Sequence, residues 1–136
     1  VACAARQPEA VEALVAAGAR HEVLGSDCGT LADLIGRTLA NGTGPRDLPV
    51  IRAFIRARSG LEVAGRVSGT PIQTVLAYCH QPDAPQIARL LIEAGVNLEV
   101  KTAAGLTVTE EAHRRLRGEP RCAATVAEVD RRGGRR

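Results

Sequence analysis

The stretch that decides how this chain folds runs from Gly69 to Val100, GTPIQTVLAYCHQPDAPQIARLLIEAGVNLEV. Thr70 is suited to cap a helix whose first position is Pro71, where a missing N–H has no intrahelical partner to lose. Ile72 through Leu76, Ala77 and Cys79 then supply one apolar face. Ile87, Leu90, Leu91 and Ala94 follow at helical spacing, and Gly95 stands where that second helix needs a left-handed residue to stop. The stretch predicts helix, turn, helix and an extended exit.

The same pattern recurs on both sides. Ala17-Gly18-Ala19-Arg20-His21-Glu22-Val23, Ala57-Arg58-Ser59-Gly60-Leu61-Glu62-Val63 and Ala94-Gly95-Val96-Asn97-Leu98-Glu99-Val100 line up on their glutamates, which are 40 and 37 residues apart. Thr30, Thr70 and Thr107 each fall eight residues after one of those glutamates, again 40 and 37 apart. Pro8, Pro49, Pro85 and Pro120 open the second apolar stretch of each unit, where the first turn of a helix tolerates proline. Between these marks the spacing is helical: Val11, Leu14 and Val15; Leu31 through Leu39; Val50, Ile51, Phe54 and Ile55. Recurrence at a fixed period is the signature of a repeat architecture, in which each unit buries its apolar face against the next.

Gly69-Thr70-Pro71-Ile72-Gln73 resembles the opening of an ankyrin repeat. Ile87-Ala88-Arg89-Leu90-Leu91-Ile92-Glu93-Ala94-Gly95-Val96-Asn97 is similar to the ankyrin second helix and its exit. The resemblance covers nearly the whole chain and implies an all-α solenoid of about four helix-turn-helix units with short extended loops. The units are 1–29 (incomplete), 30–69, 70–106 and 107–130, ahead of a flexible basic tail at 131–136. Ankyrin units run to about 33 residues, so the longer spacings require extra residues, assigned to the inter-helix stretches Ala40–Leu48 and His80–Pro85. Gln73 replaces the family's histidine, Thr30-Leu31-Ala32-Asp33 and Thr107-Val108-Thr109-Glu110 keep only the threonine, and Arg58 stands where the other units have glycine, which makes the second and last units degenerate. Val1 enters inside a first helix, which predicts further repeats upstream. Glu110 to Arg117 and Pro120 to Val129 form a more charged pair suited to capping the last apolar face.

Composition is consistent with this architecture. At 136 residues and 45% hydrophobic the chain has the size of one folded unit. Phe54 and Tyr78 are its only aromatics, so the core is built from Ala, Val, Leu and Ile, which lets helices approach closely. No apolar run reaches the length of a membrane span, and no secretory leader is visible. Cys3, Cys28, Cys79 and Cys122 are spaced 25, 51 and 43 residues apart, which matches neither a redox pair nor a zinc knuckle, so reduced thiols in a cytoplasm are the simpler reading. Secretion as an effector is the alternative. Among 18 basic residues Lys101 is the sole lysine, a bias that fits a high-GC bacterial source.

Signals for chemistry are weak by comparison. Cys79 and His80 are adjacent, but neighbouring helical residues point about 100° apart and do not pair as nucleophile and base; Cys79 reads as a small core residue at a helix end. The cysteines and His21, His80 and His113 are scattered over four units, a poor cage for a metal. Asp33, Glu110 and Glu111 carry no accompanying phosphate loop, nucleophile elbow or metalloprotease pattern. No enzyme activity, cofactor or metal is therefore expected. Arg114, Arg115, Arg117, Arg121, Arg131, Arg132, Arg135 and Arg136 crowd the last quarter and raise nucleic acid as a partner. Against it stand a net charge of only +3, five acids in the same region (Glu110, Glu111, Glu119, Glu128 and Asp130), and no aromatic there for stacking.

The ankyrin resemblance implies protein binding through a concave surface made of the loops and the inward side of each first helix. Carried onto this chain, that surface comprises the tips Leu24–Cys28, Ala64–Ser68 and Lys101–Ala104 and the helix positions Asp33, Arg37, Gln73 and Glu110. Leu24, Arg66 and Lys101 are the expected contact residues at the tips, since arginine and apolar anchors suit the centre of an interface.

Overall fold

The computed structural model describes residues 31–56, 61–65 and 69–133. Among them the chain is entirely helical: α1 Leu31–Asn41, α2 Gly44–Arg56, α3 Pro71–Ala77, α4 Ala84–Glu93, α5 Val108–Gly118, a 3-10 turn Pro120–Cys122 and α6 Ala123–Gly133. No strand occurs among these residues.

Each helix buries the stripe its spacing dictates. In α1 it is Leu31, Leu34, Ile35, Thr38 and Leu39; in α2 Val50, Ile51, Ala53 and Phe54; in α4 Ala84, Ile87, Ala88, Leu91 and Ile92. Consecutive helices pair as α1 with α2, α3 with α4 and α5 with α6, while α1 also packs on α3, α3 on α5, α2 on α4 and α4 on α6. One apolar cluster consequently runs from Leu31 to Val129 and takes in the loop residues Leu61 and Leu98.

The end of α4 follows its sequence closely. Gly95 adopts φ +87°, its N–H reaches the Ile92 carbonyl at 3.0 Å, and the Val96 N–H reaches the Leu91 carbonyl at 3.3 Å. This pair of bonds satisfies carbonyls that the helix leaves open, and buried Val96 closes the apolar contact that accompanies the motif.

The connection between α1 and α2 departs from the sequence reading. Ala40–Leu48 is expected to be a long loop, but only Gly42 and Thr43 separate the helices. Gly42 at φ +69° lets the Thr43 N–H return to the Thr38 carbonyl at 3.1 Å. The Thr43 carbonyl then accepts from the N–H groups of Arg46 at 3.1 Å and Asp47 at 2.9 Å, so the next helix starts at once. Glycine, threonine and proline read equally as loop or as stop-and-restart, and the buried carboxylate of Asp47, accepting from the hydroxyls of Thr38 and Thr43, selects the second. Pro49 accordingly lies inside α2, not in its first turn, which Pro45 occupies.

Two further features differ. Cys79 and Cys122, read as reduced thiols, form a disulfide with 4.9 Å between their Cα atoms. Spacing rules detect cysteines that are close in sequence, whereas these become neighbours only because the start of the last hairpin's second strut packs on the turn after α3. Arg131, placed at the start of a flexible tail, belongs to α6, which continues to Gly133. A favourable pair between Arg131 and Glu128 one turn back, 3.3 Å apart, carries the helix past the expected boundary. No helix among the described residues is long and apolar enough to cross a membrane.

Candidate interaction surface

The expected surface divides into loop tips and first helices. Leu24 and Arg66 lie outside the described residues, as do the tip Leu24–Cys28, residues 66–68 and the tail residues Arg135 and Arg136; the side chain of Arg132 is likewise not described. Lys101 is exposed on the loop between α4 and α5, beside exposed Ala103 and Ala104, and Arg37 is exposed on α1.

Two backbone hydrogen bonds recur at corresponding places. The Gly65 N–H donates to the Gly69 carbonyl at 2.8 Å, and the Thr102 N–H donates to the Leu106 carbonyl at 2.9 Å. These positions are 37 residues apart at each end, the offset that separates Glu62 from Glu99. Glu62 and Glu99 are both exposed and follow buried Leu61 and Leu98, so they occupy corresponding places; Glu22 lies outside the described residues. A Glu62 carboxylate oxygen accepts from the Asn97 N–H at 2.8 Å, which ties one loop to the next, while the Asn97 side chain accepts from the Glu99 N–H at 2.8 Å.

Three of the first-helix residues expected on the surface, Asp33, Gln73 and Glu110, make contacts within the fold. Gln73 presents its amide oxygen to the Thr70 N–H at 3.0 Å and lies against Gly69, whose φ of +85° brings the backbone close. Glu110 does the equivalent for the Thr107 N–H at 2.9 Å, and the Thr107 hydroxyl accepts from the Glu110 N–H at 3.3 Å, completing a reciprocal cap. Thr70 forms only half of this arrangement, because its own hydroxyl is buried without a partner. Bonds from the Thr107 backbone, and next from its hydroxyl, hold the Glu110 carboxyl below its usual range. Asp33, at the corresponding place in α1, packs its carboxylate against Gly65. The third position of a capped helix draws its side chain back to the helix start, a local task of Gln73 and Glu110 that the sequence reading did not assign, and Glu110 remains exposed while performing it.

Leu106, Thr109, Glu110, His113, Arg114 and Arg117 line a shallow hollow of about 380 Å³ along α5. His113 Nε2 lies 2.6 Å from an oxygen of Asp130 on α6. Behind them, nearly buried Glu111 is gripped by Arg114, with contacts of 3.0 and 2.9 Å, and by Arg115 at 2.6 Å. The hydrogen bond from Arg114, followed by that from Arg115, holds the Glu111 carboxyl low against the opposing effect of burial. Glu119 is pulled down to about 2, first by the Arg121 side chain and then by its backbone N–H. Glu128 is lowered chiefly by Arg89, whose guanidinium donates to it at 2.8 Å.

Much of the basic cluster is thereby committed: Arg114 and Arg115 to Glu111, Arg121 to Glu119, and Arg131 to Glu128. Among the described residues no three His, Cys, Asp or Glu side chains gather in a metal-binding group. Comparison with family models, curated proteins and solved structures found no match.

Proposed function

We propose that this chain is an ankyrin-type repeat module whose extended loops and adjoining first helices bind a partner protein. The observation that carries the reading is the correspondence of its loops: two closures, Gly65 to Gly69 and Thr102 to Leu106, recur at the offset of the glutamate register, and Glu62 ties the earlier loop to Asn97 at the foot of the later one. Hairpins packed first helix on first helix and second on second support the same architecture. Such an array holds its loops rigidly on a shared apolar spine, so little ordering is required on binding.

Arg37 and Lys101 are exposed contact residues of this surface, and Gln73 and Glu110 fix the helix starts beside it. The test compares partner capture by the full chain with capture by an Arg37→Glu/Lys101→Glu variant of unchanged helicity. Selective loss of one partner in the variant is expected; equal capture by both chains overturns the assignment. A basic surface for nucleic acid draws less support, because four of its arginines are held in ion pairs with Glu111, Glu119 and Glu128. Binding to an oligonucleotide that falls steeply with salt would favour that alternative.

A further inference from the structure

Helix α6 is an amphipathic helix with a thin apolar side. It turns Val126 and Val129 inward with Thr125 and Glu128, while Ala123, Ala124, Ala127 and Arg131 are exposed. Two valines offset only a small part of the entropy lost in ordering eleven residues. Apart from the exposed contact between His113 and Asp130, the remaining attachments lie along the first half of the helix and its lead-in. Cys122 is bonded to Cys79, the Thr125 hydroxyl donates to the Cys79 carbonyl at 2.9 Å, and Glu128 receives Arg89 from α4. Cys79 and Cys122 are 3% and 1% exposed. They nevertheless line a hollow of about 250 Å³ together with His80, Arg114, Arg115 and Glu119.

We propose that the Cys79–Cys122 bridge is a redox latch that keeps α6 docked, so that its reduction releases this helix while the α3–α4 hairpin stays folded. The hollow offers a small thiol a route to the bridge, and the guanidiniums of Arg114 and Arg115 on its wall, though paired with Glu111, favour both an attacking and a departing thiolate. The thiolate attacks one bridge sulfur, forms a mixed disulfide and expels the other sulfur as a thiolate. With dithiothreitol, the reagent's second thiol then displaces the first cysteine. Two electrons and two protons pass to the bridge, which becomes two thiols, as the reagent closes to its cyclic disulfide. Once the bridge is open, the Thr125 bond loses its enforced proximity to Cys79, and two valines, an ion pair on a half-exposed arginine and the exposed His113–Asp130 contact are left to hold the helix. This device is independent of whether the loop surface binds a partner.

Amide hydrogen exchange on the full chain, before and after dithiothreitol, tests the latch. Amides of residues 123–131 should exchange at least tenfold faster after reduction, while those of residues 72–76 and 87–92 keep their protection. A Cys79→Ala/Cys122→Ala chain should show the reduced pattern and no response to the reagent. Unchanged exchange in α6 on reduction would overturn the proposal, and so would a uniform loss of protection, which would make the bridge a staple of the whole domain. Alkylation of both cysteines in protein kept with oxidised glutathione would overturn it as well.

Discussion

At Glu111 a carboxylate with 5% of its side chain exposed depends on two guanidiniums, Arg114 and Arg115. Removing the acid leaves both arginines to water, which they already reach, so Glu111→Ala should cost about 1–2 kcal/mol, less than the loss of a fully buried pair; urea unfolding measures it. Glu110, Glu111, Glu119 and Glu128 all bind a proton less readily in the folded chain than at the ordinary 4.5. Their contributions are therefore complete above about pH 5 and are lost as acid titrates downward through each folded value, which at Glu119 is about 2. The thermal midpoint should be flat on the neutral side and fall progressively between those limits. A midpoint that rises on acidification would contradict this sign. The sequence identified these acids but not their partners, because the same arginines could equally have faced solvent.

Among the elements, α5 owes its start to a cap and α4 its end to a glycine. Thr107→Ala removes the acceptor for the Glu110 N–H and should cost about 1 kcal/mol. Gly95→Ala puts a Cβ into open space, so its penalty, about 1 kcal/mol, should come from the left-handed backbone alone. Chemical denaturation of the two variants checks both figures. These signals were readable from Thr107-Val108-Thr109-Glu110 and from Ala94-Gly95-Val96, since cap and stop are settled within a few residues. The start of α2 was not. Gly42-Thr43-Gly44-Pro45 carries every mark of a loop, and its resolution into two helix ends rests on Asp47 being buried against Thr38.

For the molecule as a whole, the bridge between Cys79 and Cys122 closes a span of 43 residues that contains α4 and α5. Because the latch acts on α6, reduction should split off an earlier α6 transition and leave the unfolding midpoint of the α3–α4 hairpin in place, read from paired denaturant titrations with and without reductant. The bridge also changes how the cysteine content bears on compartment: the sequence reading took reduced thiols as the simpler case, whereas a buried disulfide is the bonding expected where the surroundings are oxidising.

The sequence by itself determined most of the helical stretches, the glycine stop of α4 and the offset at which Glu62 and Glu99 recur. Hydrophobic spacing and turn chemistry act over a few residues, and repetition multiplies the signal. Only the tertiary structure decided which side chains meet across layers: Cys79 with Cys122, Arg89 with Glu128, and Glu62 with the Asn97 backbone. Those partners lie 35 to 43 residues apart, and stacking of the hairpins brings them together. Contacts of that kind are a consequence of packing many units at once, so no local pattern encodes them.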